Sequence, residues 1–372
     1  MKWDRSALPL SGCGTQALPP GHRLAHLDIQ RVIGEGGFSL VYQAFDPLRR
    51  QTVAVKEYIP STLAIRNANG EVIPRNEFLS PTFGIGQAYF RQEAAILAGL
   101  SHPCVPRLLN FWQENNTAYI SMPLYRGHNL KTLYAENPAI VTLPWLQTLL
   151  ASLLDTVNTV HRQGCLHLDI SWDNIQIQNG SAPVLLDFGS ACFINNPGQK
   201  KTNIVLKPGF SPAELYCHSG GDSRGPWTDI YSLGALMYTL ITGQLPPVSL
   251  TRCIEDRYQP LAKQRPAGYP LPFLQAIDQA LAINAANRPQ TIAAFSRLLG
   301  GSPLIWRTGA QLPVKERGLD KLRFALLEEQ RYCALEGESF WDLHTRMPGS
   351  VCHARQPKNC ITWLCPIGCT RL

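Results

Sequence analysis

Near residue 125 the spacing of apolar residues in this chain changes period, and no other feature constrains the fold as much. From Leu27 to Tyr125, runs such as VIGEGGFSLVYQAF, TVAVKEY and TAYISMPLY are β-branched or aromatic and separated by turns, which is the texture of strands. One helix interrupts them, QAYFRQEAAILAGL, stopped by the proline of SHPCVP. From 126 to 300 the stretches WLQTLLASLLDTVNTVHRQG, Tyr231 to Gly243 and PFLQAIDQALAINAANRP read as helices instead. The expected class is α+β: a small β-rich N-lobe over 25–125 and a larger helical C-lobe over 126–300.

Three stretches stand outside that division. Residues 1–24 are rich in Pro, Gly and Ser without periodicity and read as a flexible leader. Residues 60–86, PSTLAIRNANGEVIPRNEFLSPTFGIG, form a long insertion, expected to be a surface loop with turn chemistry at NANG. Residues 301–372 hold one helical stretch, GLDKLRFALLEEQRYCALE, and a Cys-rich end, and read as a C-terminal appendage.

Composition excludes several roles. With 372 residues, 45% of them hydrophobic, the chain can bury a large core. No stretch approaches the ~18 uncharged apolar residues of a membrane span, and YSLGALMYTLITG is short enough to be a buried helix. No secretion signal is expected either. Cys104, Cys165, Cys192, Cys217 and Cys253 are scattered singly, which fits a reducing cytoplasm better than a disulfide framework. The net charge of +7 comes without a Lys/Arg run or a basic patch interleaved with aromatics, so no nucleic-acid role is expected.

The chemistry-bearing motifs come in order along the chain. In GEGGFSLV, Gly34 and Gly36 let a hairpin backbone approach phosphate oxygens, and Ser39 takes the third place of the spacing. Taken alone, such a hairpin is more often a simple turn. Lys56 closes the apolar run VAVK, and Glu93 in FRQEAAIL is the carboxylate able to position it. HLDISWDN supplies Asp169 and Asn174, and VLLDFGS supplies Asp187 at the end of an apolar strand. Asn174 and Asp187 offer hard oxygen ligands for Mg²⁺, leaving Asp169 free to accept a hydroxyl proton.

This order, continued by SPAE, TDIYSLG and NRP, resembles the bacterial eukaryotic-like (Hanks-type) Ser/Thr protein kinases over residues 27–300. The resemblance implies the bilobal protein-kinase fold with ATP in the cleft between lobes and proteins as substrates. It implies that Val41 and Ala54 cover the adenine, that Met122 is the gatekeeper, and that Pro123, Leu124 and Tyr125 form the hinge. It also implies that Glu214 pairs with Arg288, and that Asp229 accepts hydrogen bonds from the catalytic-loop backbone.

Two positions depart from the pattern. Leu168 stands where the family usually carries an arginine that meets a phosphate on the activation segment, so activity is expected to be independent of that phosphorylation. Ser171 replaces a lysine that contacts the transferring phosphate. Seven residues before Glu214, where the family usually has a threonine, the chain has Lys207, which is expected to supply the missing ammonium. Alanine at Thr202 or Ser190 should leave the rate unchanged.

Other readings stay open at this level. One is a nucleotide-binding pseudokinase scaffold. Another is a small-molecule phosphotransferase, against which Glu214, Arg288 and TDIYSLG stand. In the tail, Cys352, His353, Cys360, Cys365 and Cys369 could hold zinc, although their spacing matches no strong ligand motif and an unstructured or partner-binding tail is the plainer reading. The final CTRL lacks the aliphatic residues of a prenylation box.

Overall fold

The computed structural model describes residues 16–178, 182–194, 205–216 and 223–300. The N-terminal lobe contains β1 (Arg23–Leu24), β2 (Leu27–Glu35), β3 (Ser39–Asp46), β4 (Gln51–Tyr58), β5 (Ala64–Arg66), β6 (Val72–Pro74), α1 (Ser80–Gly99), β7 (Asn110–Glu114) and β8 (Thr117–Pro123). Six of the strands form one antiparallel sheet in the order β1-β2-β3-β4-β8-β7, and β5 pairs with β6 as a separate hairpin.

Side chains of a strand alternate between faces, and β4 uses both. Ala54 and Lys56 face the cleft between lobes. Val53, Val55 and Glu57 point the other way, and all three are buried. Two segments expected to be loose cover that second face. From the leader, Leu18 and Leu24 join the core, and the Leu18 amide donates to the Tyr42 hydroxyl at 3.2 Å. The leader expectation is therefore corrected for residues 16–24: ordered packing begins there, before Leu27.

The insertion is likewise not a plain surface loop. Ala64 and Val72 are fully buried, and Arg66 donates to the Glu57 carboxylate at 2.6 Å. Tyr42 and Tyr119 donate to the same carboxylate, each at 2.6 Å. A charge in the middle of a sheet face survives burial only when paired and hydrogen-bonded, and Arg66 with two phenols meets that demand. Arg66 is itself held by Gln16 and Gly70. The end of the insertion is helical, since α1 starts at Ser80 with Pro81 in its first turn.

The C-terminal lobe contains β9 (His128–Asn129), α2 (Leu130–Glu136), α3 (Leu143–Arg162), β10 (Cys165–Leu166), β11 (Ile175–Gln178), β12 (Ala182–Leu185), β13 (Cys192–Phe193), α4 (Pro226–Thr242), α5 (Ser249–Arg252), α6 (Leu261–Gln264), α7 (Leu271–Ala280) and α8 (Ile292–Leu298). In α3 the buried residues Leu146, Leu149, Leu150, Leu153, Val157 and Val160 form one stripe at helical spacing. In contrast, α4 is buried on every side from Thr228 to Leu240. It packs so closely on α7 that a Cβ on Gly234 would sit 2.9 Å from the Ala280 Cβ, and it stops at Gly243, whose φ of +73° suits glycine. The third expected helix divides, with α7 ending at Ala280 and a separate 3₁₀ turn at Ala285–Asn287 capped by Asn284. Among the described residues no helix is long and apolar enough to cross a membrane.

Candidate active site

The two lobes enclose a cavity of about 730 Å³. Gly34, Gly36, Ser39 and Val41 from the β2–β3 hairpin form its roof, with Ala54 and Lys56 of β4 behind them. Met122, Pro123 and Tyr125 close the side where the chain passes between lobes, and Asn174 and Asp187 lie on the floor. The roof hairpin is closed by the Gly36 amide donating to the Ser39 carbonyl at 2.9 Å. Asp169 and Lys207 line an adjoining cavity that also reaches Lys56 and Asp187. All the residues singled out in the sequence for nucleotide, metal or catalysis thus meet at one place.

Lys56 is the electrostatic centre. Its Nζ lies 2.7 and 2.9 Å from the Glu93 oxygens and 2.9 Å from Asp187 Oδ1. Burial alone would lower the Lys56 pKa, but Asp187 and Glu93 together hold it above its ordinary value. The same ammonium depresses Asp187 to about 2, so this carboxyl is ionised and ready for a cation. Burial raises Glu93 against the pull of Lys56.

The loop from His167 to Asn174 runs between β10 and β11. Asp169 is buried, and Asn174 Nδ2 donates to its carbonyl at 2.9 Å and to its Oδ2 at 2.8 Å. Lys207 Nζ reaches across from the opposite segment, 3.0 Å from Asp169 Oδ1 and 2.9 Å from Ser171 Oγ. Its backbone is fixed by a tight turn in which Phe210 and Ser211 amides donate to the Lys207 carbonyl. Burial raises Asp169 to about 6 despite the opposing charge of Lys207. His167 is held below its ordinary pKa by burial, which keeps Nδ1 free to accept the Asp169 amide at 3.2 Å.

Leu168 and Asp187 both have φ near +60°, a region costing on the order of 1–3 kcal/mol for such residues. Asp229, fully buried in α4, holds the Leu168 backbone in place by accepting the Leu168 amide at 2.8 Å, the His167 amide at 2.9 Å and His161 Nε2 at 2.8 Å. The Leu168 side chain is 1% exposed and packs with Leu166, Cys192, Ile194 and Leu215. An apolar contact therefore stands at the position where the resemblance leads one to expect an arginine. Ser190 is buried and Thr202 lies outside the described residues. Glu214 and Arg288 form a two-bond pair at 2.7 and 3.1 Å.

Two oxygen donors on the floor of the cavity fit Mg²⁺, which keeps several waters and needs only one or two protein ligands. No cluster of three or more His, Cys, Asp or Glu occurs among the described residues, and the tail cysteines lie outside them. Sequence reasoning missed the aromatic wall beside Lys56, made by Tyr58, Tyr89 and Phe90. The signal was present in the pair Tyr89–Phe90, one helical turn before Glu93, which presents aromatic side chains near the positioned carboxylate.

A curled sheet over a helical lobe, with Lys56, Glu93, Asp169, Asn174 and Asp187 gathered between them, defines a phosphotransferase cleft. The chain belongs to the protein kinase family, whose domain matches residues 27–289. Serine/threonine-protein kinase PknD of Chlamydia caviae is 29% identical over 351 residues, covering 83% of this chain and 35% of that protein. Serine/threonine-protein kinase PknB of Mycobacterium tuberculosis is 28% identical over 286 residues, covering 74% of this chain and 42% of that protein. The chain spans about a third of the length of the first of these relatives. Among solved structures, the apo form of PpkA-294 is 47% identical with a TM-score of 0.69, and the match covers 77% of this chain and all of that one.

Proposed function

We propose that this chain is an ATP- and Mg²⁺-dependent protein kinase that transfers the γ-phosphoryl group to serine or threonine hydroxyls of protein substrates, its own included. The observation that carries the reading is Lys207, whose ammonium lies within 3.0 Å of both the Asp169 carboxylate and the Ser171 hydroxyl. A scaffold has no chemical need for a charge returned to that spot from another segment.

In this mechanism Val41, Ala54 and Met122 hold the adenine, and Lys56, oriented by Glu93, pairs with phosphate oxygens. Asp169 orients the substrate hydroxyl and accepts its proton as the new oxygen–phosphorus bond forms and the bond to ADP breaks. Lys207 balances the charge on the transferring group. Mg²⁺ would be held by Asn174 and Asp187 and, when bound, neutralises charge at the phosphates. The Glu214–Arg288 pair braces the lobe that receives a polypeptide substrate. The free thiols of Cys104, Cys165, Cys192 and Cys253 accord with a cytoplasmic setting.

The test is transfer from radiolabelled ATP with Mg²⁺ onto the protein itself and onto a generic basic protein, with Asp187→Ala as control. Incorporation that vanishes in the control is the expected result. ATP binding without incorporation would leave a nucleotide-binding scaffold in its place.

A further inference from the structure

The hairpin that roofs the nucleotide cleft ends in a tip, Gly36, Gly37 and Phe38, that packing does not hold. A Cβ at Gly37 would meet nothing within 4 Å, and Phe38 is 42% exposed. Consecutive glycines also have the most backbone freedom to lose. Left to itself, such a tip would be ordered only when a nucleotide arrives, and the ordering would be subtracted from affinity.

Hydrogen bonds from the chain leaving β4 order it beforehand. The ladder between β3 and β4 runs to Ser39 opposite Tyr58, and pairing continues past that point onto the tip. The Ile59 amide donates to the Phe38 carbonyl at 3.0 Å, and the Ser61 amide donates to the Gly37 carbonyl at 3.1 Å. The Ser61 hydroxyl adds a longer bond to the same oxygen at 3.4 Å. Ser61 is steadied in turn by Arg75, whose Nε donates to the Ser61 carbonyl at 3.0 Å while its amide donates to the Leu63 carbonyl at 2.8 Å.

Arg75 directly follows the β5–β6 hairpin, and that hairpin is anchored. Ala64 and Val72 are buried, and Arg66 is bonded to Glu57. The turn between β7 and β8 grips Val72 from both sides, the Val72 amide donating to the Asn115 carbonyl at 2.8 Å and Asn116 Nδ2 donating to the Val72 carbonyl at 2.9 Å. A path of direct bonds therefore runs from the face of the sheet turned away from the cleft, through Arg75 and Ser61, to the roof over the nucleotide.

We propose that Ser61, steadied by Arg75, is a positioning residue that fixes the tip of the glycine hairpin, so that the insertion sets how long ATP and ADP are retained. The inference rests on the nucleotide-binding part of the reading above and gives residues 60–75 a role in it.

The experiment compares the full chain with Ser61→Pro and with Arg75→Ala. Both positions are exposed, so neither change opens the core. Pro60 begins a turn closed by the Leu63 amide, and proline suits the second position of such a turn while removing the amide that Ser61 donates. Two readings are taken with Mg²⁺: the dissociation rate of ADP carrying a fluorescent ribose label, and kcat and KM for ATP in transfer to a generic basic protein. In both variants the dissociation rate and KM are expected to rise about threefold to tenfold, the scale of one or two net hydrogen bonds, with kcat undiminished. An unchanged dissociation rate in either variant overturns the tether. A fall in kcat at constant KM also overturns it, because that is the pattern of a displaced catalytic group. If Ser61→Pro misfolds, Arg75→Ala alone decides. Faster release in the variants of a protein that transfers no phosphate keeps the tether and removes the kinase reading, whereas transfer with unaltered release does the reverse.

Discussion

Lys207 is held at both ends, its carbonyl by the turn at Phe210–Ser211 and its ammonium by Asp169 and Ser171. A side chain fixed in this way before substrate arrives is the arrangement in which a charge contributes most to a transition state. Lys207→Met is expected to lower kcat by about 10²- to 10³-fold with the dissociation constant of ATP essentially unchanged, as read by transfer assays beside nucleotide titration. An unaltered kcat would end the idea. Asp169 gives a second measurement. Its carboxyl titrates at about 6, above the usual carboxylate range, because burial disfavours the charge. Transfer should therefore fall as pH drops through 6, since the protonated carboxyl no longer accepts the hydroxyl proton. Removing the Lys207 ammonium removes the influence holding that pKa down, so in Lys207→Met the titration should move higher, which ¹³C NMR of the aspartates would register. The residues of this site were largely legible in the sequence, because each sits in a short motif whose order is specific. The apolar setting of Leu168 was not, since its partners Cys192, Ile194 and Leu215 come from a distant stretch.

Among the elements, the β5–β6 hairpin shows what local pattern conceals. Three-residue strands are too short to display a period of two, and the reason Arg66 matters is Glu57, on a strand that precedes it and gives no hint of facing inward. Arg66→Met would leave a fully buried carboxylate without its cation, at a cost of about 3–5 kcal/mol in urea unfolding. A loss below about 1 kcal/mol would mean that Tyr42 and Tyr119 suffice. The longer helices were legible because their stripes repeat over several turns, although α1 begins seven residues before the expected Gln87, its first turns lying in the stretch taken for a loop. The segment β13 with Ile194 is fastened to the loop from His167 to Asn174 through the Leu168 cluster. Thr202→Ala is accordingly expected to leave the transfer rate within a factor of two, and a collapse of activity in that variant would show that a phosphate does the fastening.

At the scale of the molecule, two apolar cores carry the lobes, one built around the N-terminal sheet with α1 and one around α3, α4 and α7. The change of period at residue 125 announced that division. It could not announce how far the first core extends, because two leucines in a Pro/Gly-rich stretch have no periodicity to read. Leu18 and Leu24 are 4% and 0% exposed, and the match to the family begins only at residue 27. A chain trimmed to residues 27–300 would forfeit both leucines and bare Tyr42, with about 3–6 kcal/mol of burial lost and a correspondingly lower midpoint in thermal unfolding. The unit that the family match recognises is thus smaller than the unit that packs together in this chain.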